Sequence, residues 1–349
     1  MMKEMITLYI SRTPACFIGT PGVGKSEVLM RFAEHVKTLH SRIKTILLSG
    51  STLTPDMLGG VVCPDRTRRF QRRLAPAWVR RPVIVFVDEA NLCPRSVEDS
   101  IRQLVESQPK VCGRKLKPGS WVCLAMNPPG CGGDRPLSVA VRNRVCLLPW
   151  QWNMSALADY LSGGPGLEQD GIDLTMALRK YDEVLPAYRA AIAGWVKGQS
   201  VSDWENAARH CGPHDNFPSP RSVEAAARIL AACEACYPDD IDLPAWLLAG
   251  VVGDAAARSI AEHMSGFDPL VLVDAPVDEW PELIDDRLDR ARAQLIAVLA
   301  IPTQTLCNGL LKIADKFPEL VVFAVREHLV KGYGRPADLP PEMRRFLRE

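Results

Sequence analysis

The chain has 349 residues, of which 47% are hydrophobic and 24% are charged. This composition is ordinary for a folded globular protein and excludes a disordered or collagen-like chain. At about 150 residues per domain, the length predicts two domains or a few smaller ones. No stretch has the length and apolar character of a membrane span, and the N-terminal sequence lacks the layout of a secretory signal. A cytoplasmic protein without a membrane partner is therefore expected.

The charges are distributed unevenly along the chain, although the net charge is only +1. Residues 1–150 contain 23 Lys and Arg against 11 Asp and Glu, a net of +12, and the remainder has 19 against 30, a net of −11. This asymmetry predicts two parts with different partners, or parts that attract each other. The eleven cysteines are scattered and odd in number, so reduced thiols are expected. Cys233 and Cys236 form a lone CxxC, which is a weak zinc signal.

The strongest motif is the octapeptide GTPGVGKS, which runs from Gly19 to Ser26. It follows the short apolar run 15–18 and precedes residues 25–39, whose apolar spacing predicts a helix. A strand, a glycine-rich loop and a helix in this order direct backbone N–H groups toward phosphate oxygens. Lys25 would reach the β- and γ-phosphates, and Ser26 would bind Mg²⁺. The predicted nucleotide-binding residues are Gly19, Thr20, Pro21, Gly22, Val23, Gly24, Lys25, Ser26, Glu27 and Asp88.

A second motif is the apolar run 82–87, which predicts a buried strand ending in Asp88 and Glu89. Beside a phosphate loop, Asp88 would hold Mg²⁺ together with the loop serine, largely through water. Glu89 would polarise the attacking water as a general base. A phosphate loop alone does not separate GTPases, kinases and ATPases, but the sequence contains no Asn-Lys-x-Asp guanine-binding motif. Asn127, after the apolar run 121–126, either contacts the γ-phosphate or the attacking water, or simply forms a turn before proline.

Together, the segments GTPGVGKS, VIVFVDEAN, AMNP, LSVAVRNRV and PSPRS resemble the motifs of the AAA+ ATPases. More narrowly, they resemble the MoxR, CbbQ/NorQ and dynein-related branch, over residues 14–236. The resemblance implies an α/β fold: a P-loop NTPase core of three αβα layers with a parallel sheet, then an all-α lid and a helical C-terminal extension. The implied domains are 1–150, 151–270 and 271–349. The implied ligands are ATP and Mg²⁺, and the implied catalytic set is Glu89, Asn127, Arg144, Arg142 and Arg221.

The roles expected of the three arginines come from this resemblance. Arg144 aligns with the arginine finger that is presented to a neighbouring subunit, and Arg142 is an alternative because Val145 stands where the family usually has Phe. Arg221 aligns with sensor 2 at the start of a lid helix. Phosphoryl transfer spreads negative charge over the γ-phosphate, so positive charge delivered there is catalytic. The alternatives are ordinary surface charges for the first two arginines and an ion pair at a helix start for the third.

Three functions are compatible with these motifs. The first is a MoxR-like, chaperone-like homo-oligomeric ring, expected to be hexameric, that hydrolyses ATP at subunit interfaces and remodels a protein client such as a von Willebrand A-domain protein. The alternative is a nucleic-acid motor or loader that grips phosphates with the Arg-rich segment 66–81 and the basic cluster 110–117. A solvated loop explains that segment equally well. The third, a nucleotide-gated scaffold without turnover, is disfavoured by Glu89.

The second half of the sequence is predicted to be mostly helical and has no catalytic constellation of its own. The glycine-rich stretch 163–166 marks a break. Trp246, Trp280 and Phe317 are either interface anchors or core aromatics. Apolar spacing predicts helices over 222–237, 245–264, 286–300, 305–316 and 320–331. This half is expected to serve as a lid and to pack subunits or dock partners.

Overall fold

The computed structural model describes residues 1–37, 42–64, 71–131, 135–150, 154–162, 171–344 and 346, with the backbone alone at 62–64, 71–74, 156, 159 and 160. The chain divides into two compact units. The first consists of Met1–Leu178 and Ser202–Ala257, and the second of Arg179–Val201 and Arg258–Glu349. The three-part division at residues 150 and 270 stays a prediction.

The strands form one five-stranded sheet and two short hairpins in the described part of the chain. Their bounds are β1 Ala15–Ile18, β2 Lys44–Ser49, β3 Val61–Pro64, β4 Gln71–Leu74, β5 Val83–Asp88, β6 Lys110–Val111, β7 Arg114–Lys115, β8 Trp121–Met126 and β9 Cys146–Pro149. The sheet has the order β2-β5-β8-β1-β9, and all its neighbouring strands are parallel. The hairpins are β3-β4 and β6-β7.

Helices lie between the strands, and after β9 they are the only regular elements of the described chain. Their bounds are α1 Met2–Ile10, α2 Lys25–Lys37, α3 Pro55–Gly59, α4 Arg95–Leu104, α5 Val139–Arg142, α6 Met154–Leu161, α7 Leu174–Lys197, α8 Val201–His210, α9 Pro220–Cys236, α10 Asp242–Val252, α11 Asp254–Met264, α12 Trp280–Leu283, α13 Leu288–Ala297, α14 Thr303–Ile313, α15 Pro318–Val330 and α16 Pro341–Arg344. Within the described residues, none of these helices is long and apolar enough to cross a membrane.

The parallel sheet fixes where the functional groups lie. Strands β1, β5 and β8 are apolar and buried almost throughout, as expected for strands covered on both faces. The edge strand β2 is the exception, because each of its residues is exposed or half-buried. Since all five strands run in one direction, the residues that follow them share the carboxyl edge of the sheet, and the residues that precede them share the amino edge. The predicted α/β P-loop fold with a parallel sheet and a helical C-terminal part is confirmed.

The helices α9 and α10 belong to the same unit as the sheet and pack beside β9. The Asn216 side chain, buried before α9, donates from Nδ2 to Val145 O at 2.9 Å and to Gly250 O at 2.7 Å. Gly250 allows α10 to approach β9 closely, because a Cβ there would lie 2.5 Å from Leu147 O. Asn216 thereby joins Val145, directly before β9, to α10 and to the segment that leads into α9, the helix that carries Arg221.

The single helix predicted over 245–264 is wrong, because the structure contains two helices there. Helix α10 ends at Val252, and Gly253 adopts φ +81°, a conformation that only glycine adopts without strain. A Cβ at Gly253 would also lie 2.4 Å from Asn216 O. The apolar spacing continues across the break, so periodicity alone merged the two helices.

The second unit has its own hydrophobic core, built from α12 to α16 and the segments between them. Trp280 and Phe317 are buried in this core, at 1% and 8% exposure, so they are core aromatics. Trp246, on α10 of the first unit, is 39% exposed and remains a candidate interface residue. The helices predicted over 286–300, 305–316 and 320–331 correspond to α13, α14 and α15 with shifted ends.

Candidate active site at the carboxyl edge of the sheet

Three separate segments of the sequence meet at the carboxyl edge of the sheet. Lys25, which follows the glycine-rich loop after β1, has its Nζ 3.4 Å from Oδ1 of Asn127, which follows β8. Ser26 has its Oγ 3.4 Å from Oδ2 of Asp88 at the end of β5. Glu89 is the next residue along. The structure therefore brings the loop, the two carboxylates and Asn127 close together, and their role as one site stays a prediction.

The glycine-rich loop folds as its sequence requires. Gly22 and Gly24 have φ values of +80° and +83°, which L side chains rarely adopt. Helix α2 then begins at Lys25 and runs for 13 residues, so its N-terminus and its unpaired N–H groups lie at the loop. Such a terminus attracts anions. Glu27 is exposed and pairs with Arg31 at 3.1 Å, on the solvent side of α2.

The Lys25 ammonium group is buried, and its two shorter hydrogen bonds go to carbonyl oxygens of the loop. It donates from Nζ to Gly19 O at 2.7 Å and to Thr20 O at 3.0 Å. Burial lowers the pKa of Lys25, and the nearby Asp88 and Glu89 carboxylates oppose this shift. The Lys25 Nζ donates to neutral carbonyl oxygens. A negatively charged phosphate oxygen is a stronger acceptor, so phosphate could take the place of these carbonyl groups.

Trp150 supports the loop and was missed by the sequence analysis. It follows β9, and its Nε1 donates to Val23 O at 3.2 Å. Its ring contacts Phe17 of β1 edge to face, with centroids 5.1 Å apart. A Cβ at Gly19 would lie 2.8 Å from the Trp150 Cβ, so a glycine is needed there. The signal in the sequence was an aromatic residue directly after a short apolar strand.

Glu89 is held in an unusual backbone conformation. Its φ is +51°, in the left-handed region that costs energy for a residue with a Cβ. Its N–H donates to Asp88 Oδ1 at 2.9 Å, and its Oε2 accepts a hydrogen bond from Ser51 Oγ at 3.1 Å. A Cβ at Gly50 would lie 2.2 Å from Glu89 O, so the turn after β2 approaches this peptide very closely. Ser51 and Gly50 were not predicted, although a polar triplet after a strand was a readable signal.

Arg144 and Arg221 lie together, but at the opposite, amino edge of the sheet. Arg144 follows α5 and precedes β9, and it donates a hydrogen bond to Ala140 O. It lines a cavity together with Arg221, Arg228 and Pro14, the residue before β1. Burial, followed by the positive charges of Arg221 and Arg102, lowers the pKa of Arg144, while Glu106 opposes the shift. The cavity is therefore rich in cationic groups.

The turn that carries Arg144 is fixed by helix α9. Ser219 caps α9 in a reciprocal capping box with Ser222, and Ser219 Oγ also donates to Asn143 Oδ1 at 2.7 Å. Asn143 stands directly before Arg144, and Arg221 is the second residue of α9. One hydrogen bond thus joins the two arginine-bearing segments, and neither Asn143 nor Ser219 had been predicted.

Arg142 has a different environment from Arg144. It is 6% exposed, and its guanidinium donates to Gly212 O at 2.5 Å and to Asp215 O at 2.7 Å. These bonds tie the segment before α9 to α5. The guanidinium of Arg142 is therefore already bonded to backbone carbonyls of its own chain.

The remaining predicted features are placed as follows. Arg66, Arg68 and Arg69 lie outside the described residues, and Arg72 and Arg73 lie in β4, where only the backbone is described. In the β6-β7 hairpin, Arg114 and Lys115 are exposed. Across the described parts of the chain, no group of three or more His, Cys, Asp or Glu side chains could hold a metal ion, and Cys233 is buried.

The chemistry available at the carboxyl edge follows from these contacts. It offers a buried ammonium group, a hydroxyl and a carboxylate 3.4 Å apart, a second carboxylate and an amide. Oxygen donors of this kind suit Mg²⁺, which usually keeps waters and takes further ligands from a phosphate substrate. The set fits the transfer of a phosphoryl group to water.

Comparison with known proteins agrees with this geometry. Residues 14–145 match the AAA domain of the dynein-related subfamily. No curated protein matches the chain. A solved structure of a candidate ATPase from Cytophaga hutchinsonii ATCC 33406 has a TM-score of 0.50 and 14% sequence identity, and the match covers 76% of this chain and 88% of that chain.

At that identity, the structural similarity shows a shared fold. The match to the family covers four of the five strands of the sheet, β1, β2, β5 and β8, together with the glycine-rich loop, Asp88, Glu89 and Asn127. Residues 14–145 are thus similar to the AAA domain of the dynein-related subfamily, and this similarity, together with the geometry of the site, supports an ATP hydrolase of the AAA+ type.

Proposed function

We propose that the protein forms a ring, most simply of six copies, that hydrolyses ATP between neighbouring copies and uses the released energy to remodel a protein partner. The observation that carries the proposal is the separation of two sets of groups. Lys25, Asp88 and Glu89 lie at the carboxyl edge of the sheet, whereas Arg144 and Arg221 lie at its amino edge.

This separation prevents Arg144 from reaching the site of its own chain. Strand β9 begins two residues after Arg144 and spans four residues, or about 13 Å, before it ends at Pro149 beside the loop. A group that contacts a phosphate must lie within about 3 Å of it. Arg144 can therefore act on a triphosphate only in another copy, so complete sites require assembly.

The amino edge is suited to receive the neighbour's phosphates. Arg144 and Arg221 line one cavity, and the pKa of Arg144 is lowered by burial and by the charge of Arg221. An entering anion would offset this repulsion between the two cations. In this proposal, Arg144 is the arginine finger and Arg221 accompanies it. Arg142 has a structural role, because it bonds to the backbone carbonyls of Gly212 and Asp215.

At the carboxyl edge, each side chain has one task. Lys25 binds the β- and γ-phosphates, Glu89 accepts a proton from the attacking water, and Asn127 orients the γ-phosphate or that water. Ser26 and Asp88 fit Mg²⁺ because both present oxygen atoms, 3.4 Å apart, to the same space. When bound, the ion neutralises charge that develops on the phosphates.

Replacing Lys25 by Ala should weaken ATP binding by about 100-fold or more. Two charge-assisted hydrogen bonds to phosphate would be lost, each worth about 1.5–3 kcal/mol. Titration calorimetry with ATP measures the change. Lys37→Ala serves as the control, because Lys37 lies at the far end of the same helix and pairs with Glu34. Unchanged affinity in the Lys25 variant would place the triphosphate elsewhere.

A variant that binds ATP without hydrolysing it tests the remodelling role. Glu89→Gln copies, purified with ATP, should retain a protein partner that Lys25→Ala copies do not retain. A client with a von Willebrand A-type domain is the expected kind, as in the MoxR-like branch. A wild-type sample that is monomeric with ATP, yet hydrolyses it at full rate, would contradict the shared site.

A second candidate function rests on the exposed Arg114 and Lys115 at the tip of the β6-β7 hairpin. If the retained partner is DNA or RNA, and if its affinity falls steeply with salt concentration, a nucleic-acid motor is favoured. Reversing both charges, with Arg114→Glu and Lys115→Glu, should then abolish retention. A protein client would be retained with its affinity much less dependent on salt.

A further inference from the structure

A small cavity lies between the turn that follows Glu89 and the short helix α5 that leads to Arg144. Asn91 contributes to one wall, and Ser138 and Val141 contribute to the opposite wall. The other lining residues are Ala90, Cys93, Glu98, Ile101, Arg135, Pro136 and Leu137. The cavity leaves about 20 Å³ for the centre of a water molecule, which exceeds the roughly 10–15 Å³ that one water needs.

The Asn91 amide is a buried polar group without a protein partner. The residue is 3% exposed, and neither Nδ2 nor Oδ1 has a hydrogen-bond partner among the residues that the structure describes. A buried amide left without hydrogen bonds destabilises the fold, because its groups lose their bonds to water and gain none in return. A polar ligand of the size of water, donating to Oδ1 and accepting from Nδ2, removes that cost.

The rest of the cavity is built to keep such a ligand in place. Arg135 donates from Nη1 to Cys93 O at 2.9 Å, and its Nη2 lies 3.3 Å from Glu98 Oε2. These bonds connect the segment before α5 to the turn after Glu89 and to α4. Ser138, the residue before α5, makes no side-chain cap hydrogen bond in the described structure, so its hydroxyl is available to the cavity.

The position of Asn91 follows the backbone of Glu89. The Leu92 N–H donates to Glu89 O at 2.8 Å, which closes a tight turn around Asn91. The Glu89 side chain accepts a hydrogen bond from Ser51, on another segment, and neither Asn91 Nδ2 nor Oδ1 bonds to Glu89 or to any other described residue. Asn91 lines the same cavity as Ser138 and Val141, so a water bound to its amide would contact the segment that leads to Arg144.

We propose that Asn91, through a water molecule bound in this cavity, positions α5 and thereby sets the placement of Arg144 in the neighbouring copy's site. Asn91 is a positioning residue that acts on the site of the next copy, although it stands two residues from the general base of its own. This inference rests on the proposed hydrolysis of ATP between copies.

The test compares Asn91→Leu, which keeps the size of the side chain but removes both polar groups, with Ser138→Ala on the opposite wall. Each should lower ATP turnover by about 10- to 100-fold, the scale expected when a catalytic group is displaced by about 1 Å. Asn308→Leu, on the exposed face of α14, is the matched control and should leave turnover unchanged. Melting temperatures show which variants fold. If Asn91→Leu does not fold, Ser138→Ala still tests the inference.

Mixed rings then show which site Asn91 serves. Co-expressed with Glu89→Gln copies, which have intact arginines, the Asn91→Leu copies should recover turnover, because their own Glu89 meets a well-placed Arg144. Co-expressed with Arg144→Ala copies, they should recover none. The reverse pattern would overturn the inference by assigning Asn91 to its own Glu89, and recovery with neither partner would reduce Asn91 to a purely structural role and overturn it as well.

The same experiment separates this inference from the proposed function. If Glu89→Gln and Arg144→Ala copies fail to restore each other, the shared site itself is wrong and the role of Asn91 falls with it. If they restore each other and the Asn91 variant does not follow the Arg144 pattern, only the inference fails. A crystal structure of the full chain should also show an ordered water within hydrogen-bond distance of Asn91, and a dry cavity would overturn the inference.

Discussion

ATP hydrolysis should fall by about 10²- to 10⁴-fold when Glu89 is replaced by Gln, while ATP binding remains near the wild-type level. An amide cannot accept the proton of the attacking water, so the variant lacks the proposed general base. The groups that we propose to bind phosphate, Lys25 and the N-terminus of α2, are unchanged. Phosphate release measures turnover, and titration calorimetry measures binding.

The geometry explains why this variant should fold normally. The Glu89 backbone is fixed by Asp88 and by the close approach of Gly50, and neither contact involves the substituted group. Gln keeps an oxygen that can accept the hydrogen bond from Ser51. Glu34→Gln, at an exposed position of α2, is the matched control. Undiminished hydrolysis by the Glu89 variant would exclude Glu89 as the base.

The carboxyl edge of the site was largely predictable because each of its parts is local in sequence. A glycine-rich loop between a strand and a helix, and a strand that ends in two carboxylates, carry their function within about ten residues. Parallel strands then bring such segments to one edge without further information. Ser51 was not predicted because β2 is a half-exposed edge strand without a long apolar run, so the polar residues after it were the only signal of the turn.

The arginines could not be distinguished from sequence because their partners are far away in the chain. Arg142 and Arg144 differ by two positions in a short helical turn, yet the first meets Gly212 and Asp215, about 70 residues later. The second is placed by the bond between Asn143 and Ser219, 76 residues apart. Neither contact can be read from the periodicity or composition of the sequence. The spacing of the motif therefore could not decide which of the two arginines is the candidate finger.

The two edges of the sheet are linked through the interior of one unit. The turn after Glu89 reaches α4 and the segment before α5 through Arg135, and Asn143 reaches α9 through Ser219. In the proposed ring, these contacts would be the route by which a change at the carboxyl edge reaches the arginine finger of the same copy.

Replacing Arg144 by Ala should leave ATP binding intact and reduce turnover by about 10³- to 10⁵-fold, the range associated with loss of an arginine finger. In the proposed shared site, the guanidinium stabilises charge that develops in the transition state, so its loss should affect the rate more than the binding of ATP. Stability should change little, because the described hydrogen bond of Arg144 goes to Ala140 O within its own turn. Single-turnover measurements and calorimetry separate these effects.

Arg142→Ala provides the contrast that identifies the finger. Its guanidinium is buried and holds two backbone carbonyls, so its removal leaves Gly212 O and Asp215 O without that donor. We expect a loss of roughly 3 kcal/mol in the free energy of unfolding, from two hydrogen bonds to a charged group. Co-expression with Glu89→Gln copies should restore turnover to Arg144→Ala copies, because those copies keep their own Glu89. If Arg142→Ala instead loses turnover at an unchanged melting temperature, while Arg144→Ala keeps it, the two arginines exchange roles.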